Sequence, residues 1–101
     1  MACRVVVTDE ARKDLGAALV YLVEVLGAQE AARDLLDAFD ELIERVEQYP
    51  SMYPLVRDAK LARGGYRKAA LGNYLAIYLE KDGTVYIARA FHQSQDYARL
   101  V

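Results

Sequence analysis

"YLAIYLEKDGTVYIARAFH", residues 74–92, is the stretch that decides how this chain folds. Two runs rich in β-branched and aromatic residues flank Lys81-Asp82-Gly83, and turn residues of that kind between apolar runs signal a β-hairpin. Just upstream, "YRKAAL" ends at Gly72-Asn73, a second turn signal, so residues 66–92 read as a three-stranded antiparallel meander. Alternation within the strands separates Leu75, Ile77 and Leu79 from Tyr74, Ala76 and Tyr78. It likewise separates Val85, Ile87, Arg89 and Phe91 from Tyr86, Ala88, Ala90 and His92. The aliphatic set is expected to face the core, leaving a tyrosine-lined far side for solvent or another chain.

What precedes the meander must supply that core. "CRVVV" is short and β-branched, which suits a first strand, and Thr8 followed by Asp9 and Glu10 is a helix start. Leu15, Leu19, Leu22, Val23 and Leu26 recur at helical spacing until Gly27 stops the helix. A second helix carries Ala32, Leu35, Leu36, Phe39, Leu42, Ile43 and Val46 inward and a row of carboxylates outward, and Tyr49-Pro50 ends it. So short a connection predicts an antiparallel helical hairpin. "PSMYPLVRDAKLARGG" reads as a connecting loop, and "QSQDYARLV" as a short closing turn or helix. The expected class is α+β in the order βααβββ, as one domain over residues 1–101.

Composition narrows the function. No apolar run approaches the roughly 20 residues of a membrane span, and no export signal is visible, so the chain reads as cytoplasmic and without a membrane partner. Cys3 is the single cysteine and His92 the single histidine, too few for a soft-ligand zinc site, so no metal or other cofactor is expected. Cys3 itself suits packing better than nucleophilic chemistry. The net charge of −2 conceals an asymmetry: residues 1–50 carry 5 Lys/Arg against 11 Asp/Glu, and residues 51–101 carry 8 against 4. The second half therefore suits an anionic partner, while the acidic helix face argues against nucleic-acid binding over the whole surface.

The element order, with "YPSMYPLVRD" at 49–58 and "GGYRKAALGNYLAIYLEKDGTVYIARAFHQSQDY" at 64–97, resembles the RelE/ParE superfamily of bacterial type II toxins over the whole chain. The resemblance implies a growth-arresting toxin neutralised by a cognate antitoxin encoded beside it. Members of the RelE kind cut mRNA on the ribosome without metal, which calls for a proton acceptor, cations around the phosphorane and a donor to the leaving oxygen. Members of the ParE kind poison DNA gyrase, which calls for a binding surface. The resemblance places Arg67, Lys68 and Arg89 on retained cationic positions and Tyr97 on a terminal aromatic position that serves acid–base chemistry in nuclease members. It also finds Leu75 where such members often have an arginine, and Gln93, Ser94 and Gln95 where arginines are frequent. The expectation taken forward is ribosome-dependent mRNA cleavage. Gyrase inhibition and a non-toxic antitoxin-binding module are the alternatives.

The candidate catalytic residues are then Arg67, Arg89, Tyr97 and His92, and the candidate target contacts are Lys68, Arg63, Lys60 and Arg57. Each has a simpler reading. A histidine suits general-base work near neutral pH, yet a strand-end ring can equally pack and hydrogen-bond the tail, with Asp96 as a partner. Arg89 can instead be a structural anchor paired with Glu80 or Asp96, and the loop cations can be solvated charge.

Overall fold

The computed structural model describes residues 3–100. Strand β1, Arg4–Val7, leads into helix α1, Asp9–Val20, which runs on as a π-helical turn over Tyr21–Val25. Helix α2 spans Gln29–Gln48, and a single helical turn, α3, spans Ala59–Arg63. Strands β2 (Arg67–Leu71), β3 (Tyr74–Lys81) and β4 (Thr84–His92) follow, and helix α4, Tyr97–Leu100, comes last. The sheet order is β1-β4-β3-β2, with β1 parallel to β4 and the other pairs antiparallel. This is the expected α+β order, with the first strand inserted beside the last. No helix among the described residues is long and apolar enough to cross a membrane.

Local chemistry sets the element ends. The Thr8 hydroxyl accepts from the Ala11 amide at 3.1 Å, capping α1, and donates to the Ala88 carbonyl at 2.8 Å, so one side chain starts the helix and pins it to β4. Asp58 caps α3 in the same way, accepting from Leu61 at 3.0 Å, which gives a helical turn to a segment that reads as loop in sequence. Asp82 and Gly83 have φ of 53° and 80°, the left-handed pair that a two-residue hairpin turn requires.

The π-helical turn corrects the reading of the first helix. The i→i+5 bond from the Leu26 amide to the Tyr21 carbonyl widens the turn and breaks the 3.6-residue spacing, so Val23 and Leu26, placed on the buried stripe by sequence, lie 38% and 58% exposed. Leu22 remains buried.

The sheet faces also differ from the sequence reading. Ile77 pairs with Arg89 but Tyr78 with Ile87, so Ala88 is an extra residue, a bulge that reverses the alternation of β4. Val85 and Ile87 therefore share a face with Tyr78 and Ala76, and these pack with Leu35, Phe39, Leu42 and Val46 of α2. Beyond the bulge, Phe91 joins Ile77 on the other face, in a smaller cluster with Val56, covered by Leu61, Tyr66 and Tyr97. The tyrosines of β3 thus face the helices instead of solvent. Tyr78 is fully buried, its ring edge-on to Tyr53 and its hydroxyl donating to the Pro50 carbonyl at 2.8 Å, and that bond offsets the cost of burying a phenol.

Candidate functional site

The meander register disperses the retained cations. Arg67 opens β2 opposite Tyr78, on the helix-side face, while Lys68 sits opposite Ile77 on the other. The Arg67 guanidinium is directed at the chain between the helices and the sheet: Nη1 donates to the Tyr53 carbonyl at 2.7 Å and the Ser51 carbonyl at 3.4 Å. The Lys68 ammonium instead stands 5.8 Å from the centroid of the Tyr97 ring, a cation–π contact. Two adjacent cations that look like one patch in sequence serve two surfaces.

Arg89 is held by a residue that the sequence did not suggest. Its Nε donates to one Asp14 oxygen at 2.7 Å and its Nη2 to the other at 3.1 Å, the forked geometry that suits guanidinium and carboxylate. The Asp14 bonds raise the Arg89 pKa above its ordinary value. The guanidinium also lies 4.6 Å from the Phe91 ring centroid. Neither proposed anchor, Glu80 or Asp96, is the partner in this ion pair. Asp14 also accepts from the Ala90 amide at 3.0 Å. The β1 pairing with β4 ends at Ile87, so beyond it the edge of β4 is finished by the Thr8 hydroxyl and the Asp14 carboxylate in place of a strand.

His92 closes β4 in a network of its own. Its Nδ1 lies 2.8 Å from the Ser94 hydroxyl and accepts from the Ser94 amide at 3.2 Å, which puts the proton of the neutral ring on Nε2. Its backbone amide donates to Gln95 Oε1 at 2.9 Å, and its ring stands edge-on to Tyr74 at 5.3 Å between centroids. Ser94 and Gln95, not Asp96, therefore hold the histidine.

The remaining candidates gather on the far side of the sheet from the hairpin. Tyr97 packs on the Ile77–Phe91 cluster from α4, and α3 packs there through Leu61 and Ala62. Lys60 and Arg63 on α3, and Arg57 just before it, are exposed. Among the described residues, no group of three or more His, Cys, Asp or Glu side chains converges as metal ligands. Cys3 is half-buried, packed beside the main core, and its Sγ lies 3.7 Å from Glu80 Oε2. Burial first, and the neighbouring carboxylate second, raise the thiol pKa, the opposite of what a nucleophile needs.

A helical hairpin against a small mixed sheet, with a short closing helix, is the scaffold that holds these side chains. The family model described as ParE toxin of type II toxin-antitoxin system, parDE, matches residues 5–97, and the chain belongs to that family. Among solved structures, the chromosomal ParDE toxin–antitoxin system of P. aeruginosa superposes with a TM-score of 0.71 at 20% identity, covering 90% of this chain and 96% of that one. The toxin–antitoxin complex RelBE2 of Mycobacterium tuberculosis gives 0.55 at 22% identity, covering 91% and 99%. YafQ of E. coli strain BL21(DE3) gives 0.54 at 19% identity, covering 91% and 94%. These three share the fold with this chain. No curated protein matches it.

Proposed function

We propose that this toxin, kept inactive by a cognate antitoxin, arrests growth by binding a protein target, DNA gyrase, as resembling ParE-like members do. The observation that carries this reading is the engagement of the two arginines a nuclease would need. Arg67 is committed to backbone carbonyls on the helix side of the sheet and Arg89 to a bidentate carboxylate, so neither is poised beside the other to meet a phosphorane. One observation favours ribosome-dependent mRNA cleavage as a second reading: Lys68 and Tyr97, a cation and a phenol, stand together on the far face, against which α3, the helical turn that bears Lys60 and Arg63, packs through Leu61 and Ala62.

Controlled expression in bacteria tests between them. The gyrase reading predicts growth arrest with broken DNA and an induced DNA-damage response, relieved by the protein encoded beside the toxin. Arrest with intact chromosomes and mRNA cut within codons would establish the second reading.

A further inference from the structure

The sheet sends Val5, Val7, Tyr78, Val85 and Ile87 into the core beneath the helices. Strand alternation then turns Arg4, Val6, Leu79, Lys81, Thr84 and Tyr86 to the opposite face. On that face the cover supplied by Leu61, Ala62, Tyr66 and Tyr97 lies over Ile77 and Phe91, and Val6, Leu79 and Tyr86 belong to neither apolar cluster. The register lines these three up: Val6 stands opposite Tyr86, and Tyr86 opposite Leu79, one apolar row across β1, β4 and β3 with Tyr86 36% exposed at its centre. The next row toward the hairpin turn is Arg4, Thr84 and Lys81, with both cations exposed.

Charge narrows the occupant. The four strands carry Arg4, Arg67, Lys68, Lys81 and Arg89 against Glu80 alone. Glu80 lies opposite Val85 and Arg67 opposite Tyr78, both on the helix side, so each charged side chain that the strands turn to the other face is a cation, Arg89 being the one paired with Asp14. Asp82 in the turn and Asp96 in the tail border this face, and α3 brings Lys60 and Arg63 to it while Asp58 serves as its cap. A single-stranded nucleic acid stacks its bases on a series of rings, whereas this row holds one tyrosine between two aliphatic side chains. A second copy meeting the row by two-fold symmetry would set these cations against their own equivalents. A protein surface with an apolar centre and flanking Asp or Glu satisfies both the row and its ends.

We propose that this half-open face, centred on Tyr86 and bracketed by Arg4 and Lys81 at one end and Lys68 at the other, is where the toxin docks on its protein target, and that the target presents an apolar patch ringed by carboxylates. This rests on the reading of the chain as a toxin that acts by binding a protein, and it names the surface that does so.

The test uses the full chain in two variants. Tyr86→Thr removes the apolar centre and keeps a good strand residue, and Arg4→Glu with Lys81→Glu reverses the exposed charge at one end. Circular dichroism and Tm check folding; should Tyr86→Thr lower Tm, the charge variant, confined to exposed positions, carries the test. With purified gyrase and supercoiled plasmid, each variant should need at least about 10-fold more toxin for half-maximal linear DNA, as for loss of a hot spot, and each should fail to arrest growth when expressed alone. An unchanged half-maximal concentration, or growth arrest retained, overturns the proposal. If the unaltered chain leaves gyrase untouched, the gyrase reading alone fails and growth decides the surface: arrest lost by both folded variants upholds it, and arrest retained overturns it. A single-stranded RNA oligonucleotide bound by the unaltered chain and released by Tyr86→Thr would assign the face to nucleic acid, and a toxin dimer that Tyr86→Thr dissociates would assign it to a second copy; either result overturns the proposal.

Discussion

Replacing Asp14 by alanine should be among the most damaging single changes outside the apolar core. Its carboxylate accepts three hydrogen bonds, two from the Arg89 guanidinium and one from the Ala90 amide. The side chains of Arg89 and Asp14 are 26% and 16% exposed, too covered for the near-zero value of a surface pair and too wet for the full cost of a buried one. A hydrogen bond to a charged group contributes about 1.5–3 kcal/mol, and a neutral one about 1 kcal/mol. Water can reach part of what is vacated, which brings the expected loss to about 2–3 kcal/mol. Unfolding entropy near 2.1 cal/mol/K per residue makes each kcal/mol worth about 4–5 °C in a chain of 101 residues, so Tm should fall by about 10 °C. Asp14→Asn keeps an acceptor for the Ala90 amide and should lose about half as much. Urea unfolding followed by circular dichroism measures both. A loss below about 0.5 kcal/mol for Asp14→Ala, or an asparagine variant no better than alanine, would refute the view that this carboxylate substitutes for a strand at the edge of β4.

Three further outcomes follow from the same geometry. Arg67→Ala should destabilise by about 1.5–3 kcal/mol through its carbonyl contacts, whereas Lys68→Ala, losing one cation–π contact, should cost under about 1 kcal/mol; equal losses in urea titrations would contradict their assignment to opposite faces. Tyr78 has its pKa raised, by burial first, so above pH 10 the folded state holds a proton that the unfolded chain releases, and stability falls as pH rises through that window. Tyr78→Phe should flatten that alkaline slope in melts between about pH 9 and 11, at a cost near 1 kcal/mol at neutral pH; an unchanged slope would mean that Tyr78 does not contribute to it. His92→Gln keeps an acceptor for the Ser94 amide, so growth arrest should persist; arrest abolished at unaltered Tm and antitoxin affinity would make His92 a catalyst, since a general base contributes about 100- to 10,000-fold.

What could be read from sequence was local. Thr8 as a cap, the Lys81-Asp82-Gly83 turn and the apolar stripe of α2 are each set by residues within a few positions of one another, and the structure has them as read except for Leu36, placed on the inward stripe by sequence but 42% exposed at its edge. Asp58 followed by "AKLAR" carried the same capping signal for α3, obscured by the Pro and Gly around it. The bulge at Ala88 was not legible, because alternation by itself cannot reveal where one residue is skipped, and that one residue decides which way Arg89 and Phe91 face. The π-helical turn was hidden for a related reason: Leu22, Val23 and Leu26 fit a 3.6-residue period until one extra residue is accommodated in the turn. At the candidate site, mid-strand Arg89 called for a carboxylate, but Asp14 lies 75 residues away, and its pairing depends on how α1 packs against β4. Arg67 and Lys68 were found by resemblance, whereas their separation between two faces is a consequence of strand pleat.

The central claim, that this ParE-family toxin acts through contact with a protein and not through RNA chemistry, is tested most directly with purified components. Toxin, DNA gyrase and supercoiled plasmid are incubated with ATP, the protein is denatured and digested, and linear DNA is quantified; the same toxin preparation is added to programmed ribosomes and the mRNA ends are mapped. The account predicts linear DNA rising with toxin concentration and intact mRNA. Unperturbed gyrase turnover together with mRNA cut in the ribosomal A site would contradict it.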